Sequence, residues 1–165
     1  MTSLRMTAKG RRTAAALGAV SAGLLVLAAC DKPTPIATVT VGSDSVNTEA
    51  ACYKGGDTIS EAEIKKCLAK DAEKSLTVGM DDKVRFGVDP EIADNGWTLF
   101  INGQQAEQEP YKKTYRTIPG NAFFSAGQSA DGSQGAPLKN AQVSIVETDG
   151  SKLKGIWHFK LKKGE

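Results

Sequence analysis

A chain of 165 residues has room for one ordinary domain and a short appendage. Its formal charge of +2 is unevenly placed: Arg5, Lys9, Arg11 and Arg12 all precede Asp31, the first acid. Setting residues 1–29 aside removes those four bases and leaves 17 bases against 19 acids, formally −2, which argues against the clustered basic face of a nucleic-acid binder.

Residues 14–29, AAALGAVSAGLLVLAA, run for sixteen positions without a charge. A basic start, a short apolar run and small residues before a cut mark a secretory signal. The run falls short of the roughly 20 apolar residues of a spanning helix, and Gly18, Ser21 and Gly23 dilute it further. Its end, Leu27-Ala28-Ala29-Cys30, resembles the bacterial lipobox: an aliphatic residue, two small ones, then the cysteine that receives diacylglycerol. The resemblance implies removal of residues 1–29 and lipid on Cys30, two acyl chains being enough for stable anchoring where one is marginal. The competing reading is an uncleaved signal anchor with Cys30 an incidental thiol. Arg11-Arg12 hints at twin-arginine export, but Thr13-Ala14-Ala15 lacks the bulky apolar residues usual after that pair, so the general route fits at least as well. The expected place is the extracytoplasmic face of the cell membrane.

Residues 30–35 then form a short tether stiffened by Pro33 and Pro35; the five residues after Cys30 reach at most about 18 Å. One domain is expected over 36–165, opening with a β-branched, alternating strand at 36–41. With Cys30 acylated, Cys52 and Cys67 remain, an even pair in an oxidising compartment. A disulfide is expected, closing a loop whose entropy is worth roughly 3 kcal/mol. Metal binding competes poorly, because zinc wants about four clustered ligands and the chain has one histidine. Between the cysteines, Thr58 with Glu61 and Ser60 with Glu63 form overlapping capping boxes. They predict a short helix over about 60–70 with Ile64, Cys67 and Leu68 on one face and Lys65, Lys66 and Lys70 in water.

Further strands are predicted at 75–78, 83–88, 97–101, 113–117, 142–147 and 155–162, separated by turn-formers such as Asn102-Gly103, a type I′ hairpin signal. Val84, Phe86 and Val88 share one face, as do Trp157, Phe159 and Leu161, the period of a half-buried antiparallel sheet. The expected fold is mainly β: an immunoglobulin-like antiparallel sandwich of about seven strands with one short, disulfide-stapled helix. Trp97 sits where such domains often bury a tryptophan, whereas Cys52 and Cys67, flanking a helix, do not match the family's inter-sheet bridge. Residues at about 125–139, rich in Gly, Ser, Ala and Gln, are expected to form a flexible excursion between strands.

Few constellations carry chemistry. His158 lies between core-facing aromatics on a strand, so it should point to the outer face and be solvated. A cupredoxin copper site needs two histidines and a cysteine thiolate, which excludes that function. Asp89, Glu91 and Asp94 gather in DPEIADNG between two strands; they form either a calcium loop or an ordinary Asp/Asn turn bounded by Pro90 and Gly96. Gly55-Gly56 and the glycines of 127–135 lack the context of a phosphate loop. Phe123 and Phe124 cannot both face inward on a strand, so either one ring sits at a partner-binding edge or both are absorbed in a local core. No cofactor and no resident metal are expected.

VRFGVDPEIADNGWTLFINGQ and KGIWHFKLKKG are similar to an uncharacterised lipoprotein family of actinobacteria, a domain of unknown function. That resemblance implies location and domain shape and supplies no functional residues. Three functions follow as expectations. The first is a non-catalytic module that binds an envelope protein or a small ligand; the second is an inhibitor-like sandwich that inserts loops into a protease. The third is a hydrolase using carboxylates.

Overall fold

The computed structural model describes residues 33–125 and 137–164. The leader, Cys30, the next two tether residues (Asp31 and Lys32) and most of the 125–139 excursion lie outside the described residues. Among the described residues no helix is long and apolar enough to cross a membrane.

The chain runs through β1 (Ala37–Val41), β2 (Asp44–Thr48), β3 (Cys52–Tyr53), α1 (Glu61–Leu68), β4 (Lys74–Val78) and β5 (Lys83–Val88). It continues through α2 (Pro90–Asn95), β6 (Trp97–Ile101), β7 (Gln104–Gln105), β8 (Tyr115–Pro119), a 3-10 turn (Gly120–Phe123), β9 (Asn140–Asp149) and β10 (Lys152–Lys163). One sheet has the order β2-β1-β5-β8; the other has the order β3-β10-β9-β6-β7, with β4 parallel to the second half of β10. Apart from that parallel pair the ladders are antiparallel, β5·β8, β6·β9 and β9·β10 among them, and the two sheets make the mainly β sandwich expected.

Among the described residues, ten strands and two α-helices stand where about seven strands and one helix were expected. The surplus is short or polar: β2 reads Asp-Ser-Val-Asn-Thr, with one apolar residue, and β3 and β7 have two residues each. Such segments carry no period to read. The strand expected at 113–117 lies two residues later, where Val84 pairs with Ile118 and Phe86 with Arg116. The Asn102-Gly103 hairpin forms as expected, with both residues at positive φ (51° and 80°).

Apolar alternation drives the packing. Val39, Val84, Phe86, Leu99, Val143, Ile145, Trp157, Phe159 and Leu161 meet between the sheets, fully buried. Trp97 is buried at the start of β6, its Nε1 donating to the Lys113 carbonyl (2.9 Å) and its ring edge-on to Tyr111. Of the two alternatives, the local core holds and neither ring sits at a binding edge: Phe123 and Phe124 are both fully buried, Phe123 against Phe86. They lie in and just after the 3-10 turn, where successive side chains are not forced to opposite faces as on a strand.

A second cluster lies on the outer face of the β9–β10 sheet, where Ile59 and Cys67 pack on Val146 and Ile156, with Ile64 and Leu68 beside them. Helix α1 therefore covers this face, and the Cys52–Cys67 disulfide (Cα–Cα 5.9 Å) ties it to β3. Its N-terminus carries the Ser60–Glu63 capping box of the two expected. Lys54 and Ser60 hold the Glu63 carboxyl down at about 2.

Candidate functional site

The acidic segment does not assemble. Asp-Pro-Glu is a helix-start pattern, with a capping residue, proline at the first helical position and an acid in the first turn, and residues 90–95 form α2 rather than a loop. Asp89 Oδ2 accepts a hydrogen bond from the Ile36 amide (2.8 Å), pinning the start of β1. Glu91 accepts one from the Tyr53 hydroxyl (3.4 Å), and Asp94 is exposed. Among the described residues no three His, Cys, Asp or Glu side chains converge as metal ligands.

His158 does point to the outer face of its sheet, but it is buried instead of solvated, because the carboxyl end of α1 lies over it. Its Nε2 is 2.8 Å from the Cys67 carbonyl, which can only accept, so this nitrogen carries the proton. Nδ1 then accepts from the Ser144 hydroxyl at 2.8 Å. Burial lowers the pKa of the ring, the Cys67 bond opposes this, and Lys70 lowers it again. The serine–histidine pair thus latches α1 to β9 and β10, with both ring nitrogens engaged. A cavity of about 470 Å³ opens beside it, between residues 47–51 and 70–74.

Glu147, which no motif singles out, is fully buried on the inner face of β9 between Trp97 of β6 and Gly155 of β10. Its Oε1 accepts from Asn95 Nδ2 (2.6 Å), while Oε2 has no hydrogen-bond partner. Burial pushes its pKa up, the Asn95 bond opposes, and Glu91 raises it further. Burial, then Glu91 and Glu147, also raise that of Tyr53. A methyl at Gly155 would lie 2.4 Å from the Trp157 ring and 3.0 Å from Glu147 Oε2, so the indole and carboxyl fill the space a side chain would need.

The outer face of the β2-β1-β5-β8 sheet is open. The register sets Asn47, Thr38, Gly87 and Tyr115 in one row and Ser45, Thr40, Arg85 and Thr117 in the next. Tyr115 is 65% exposed, the most exposed large hydrophobic side chain described. Beside it a groove of about 550 Å³ runs over Thr38, Thr40, Arg85, Gly87 and Thr117. This is the site with the most to offer a ligand: a ring face, four hydroxyls counting that of Tyr115, and one guanidinium. Its outward residues alternate with core residues in the sequence, but the assembly of four strands is what places them together.

Compared with known proteins, the chain matches no family model, no curated protein and no solved structure.

Proposed function

We propose that the chain is a lipoprotein held by acyl chains on Cys30 at the extracytoplasmic face of a bacterial membrane, and that its sandwich is a non-catalytic binding module. The observation that carries the reading is the pairing of Cys52 with Cys67. It uses both cysteines of the folded domain and leaves Cys30, at the end of the lipobox-like Leu27-Ala28-Ala29-Cys30, as the one remaining thiol. Disulfides persist in oxidising compartments, which is where a lipobox sends a chain. The binding role draws on the open groove at Tyr115.

Mass spectrometry of the full chain made in a bacterial host tests the anchor. The expected N-terminal peptide begins at Cys30 and carries diacylglycerol, and Cys30→Ala leaves the leader uncleaved. An unmodified Cys30, or a leader retained in the parent chain, refutes the reading.

A further inference from the structure

The groove beside Tyr115 has a floor that the fold itself does not require. Gly87 lies inside β5, a central strand, where glycine weakens a sheet. Three structural reasons would explain a glycine there, and none applies. Its φ is not in the left-handed region, and it pairs in register, without a bulge, with Thr38 inside the β1 ladder and with Tyr115 at the end of the β8 ladder. A Cβ would meet nothing closer than 3.8 Å, from Thr38, with the Thr38 and Thr114 carbonyls at 3.9 Å, which is ordinary van der Waals contact. Gly155, by contrast, is demanded by an indole 2.4 Å away. A strand glycine without a packing reason marks a place where something outside the fold comes close to the backbone.

What surrounds Gly87 states the chemistry of that visitor. Tyr115 is its direct cross-strand partner and offers an amphipathic ring beside the notch. Thr38 flanks it on the other side. Arg85 lies two residues along the strand, between Thr40 and Thr117, and among the described residues its guanidinium has no ion pair or hydrogen bond. No carboxylate lines this groove; Asp81 and Asp82 lie in the adjoining pocket that Arg85 and Thr40 also line, together with Lys83. Tyr115 and Arg85 are diagonal neighbours, a separation of about 7–8 Å, which suits one sugar ring bearing an exocyclic carboxyl. The apolar face of the ring would stack on Tyr115 and settle over Gly87. Its hydroxyls would meet threonines, and its carboxylate the fork of Arg85.

We infer that this groove binds a carboxylate-bearing glycan, with Gly87 as floor, Tyr115 as stacking wall and Arg85 as anion clamp. The source is the acidic polysaccharide of the cell's own envelope. This part rests on the anchored reading above, since a tether over residues 30–35 holds the domain within about 18 Å of the bilayer.

The test uses the full chain extracted from bacterial membranes in detergent and titrated calorimetrically with galacturonic acid hexamers and with their methyl esters. The acid form should bind, more weakly at high salt, and the ester at least tenfold more weakly. Tyr115→Ala and Arg85→Gln should each lose tenfold or more. Gly87→Val should melt no lower than the parent chain yet lose binding, with Gly87→Ala as the milder version should valine fail to fold. Wall polysaccharide from the producing cell should bind the same way, and its carboxyl-reduced form should not. Absence of acid-hexamer binding, equal binding by the ester, or indifference to all four substitutions overturns the proposal. The mass of the Cys30 peptide from the same preparation separates the two readings: a lipidated chain that ignores the glycan sinks this inference alone.

Discussion

Replacing Glu147 by Gln should stabilise the protein at alkaline pH and do little in acid. In the fold the carboxyl is fully buried, one oxygen bonded to Asn95 and the other without a partner among the described residues. Its pKa is raised, chiefly by burial. A group whose folded pKa lies above the unfolded one gives stability that is complete below the unfolded value and is lost as pH rises through the folded value. Leaving a buried acceptor without a partner costs about 1–3 kcal/mol, and more once it is charged, and each unit of pKa difference is worth about 1.4 kcal/mol. Gln keeps the acceptor for Asn95 and never ionises, but puts an unpaired amide where Oε2 was, giving back about half of the gain. The net expectation is a change near zero at pH 5 and a stabilisation of about 1–2 kcal/mol at pH 8, on the order of 4 °C in melting temperature for a domain of this size. Urea titrations of parent and variant at both pH values measure it. An equal effect at the two pH values would show that the carboxyl ionises as it does in water, and the account of a sealed acid would fail.

Three further outcomes follow from the geometry. The lowered pKa of His158 means that the unfolded chain takes up its proton first; its contribution is whole above about pH 6.5 and declines as pH falls from there to the folded value. His158→Gln should therefore cost about 1–3 kcal/mol at pH 8 through broken hydrogen bonds and shrink the stability difference between pH 7 and pH 5. Replacing Cys52 and Cys67 together by Ser opens a loop with a separation of 15 residues, with an expected loss of about 3 kcal/mol; hydrogen exchange should speed up first in α1, and uniform loss across both sheets would contradict its stapling role. Gly155→Ala should cost about 1–3 kcal/mol by overpacking, because Trp157 occupies the space, while Gly87→Ala in thermal melts should be neutral or stabilising. Equal losses at the two glycines would remove the distinction drawn between them.

What the sequence determines by itself is whatever is written in short periods and local chemistry. The strand at 83–88 is legible because apolar alternation states both its extent and its buried face. The Asn102-Gly103 turn and the Ser60–Glu63 box are legible because a few neighbouring residues complete them. Helix α2 was legible too, in Asp89-Pro90-Glu91, but three acids in one stretch also read as a cation loop. The tertiary structure alone decides the rest. His158 sits on the outer face that alternation assigns it, yet only the docking of α1 removes it from water. Glu147 looks like any charged strand residue until Trp97, Gly155 and Asn95, distant in sequence, close around it. The groove at Tyr115 likewise needs four strands from separate parts of the chain to lie side by side. Periodicity reports which way a side chain points, but what it meets there depends on elements whose packing no local pattern encodes.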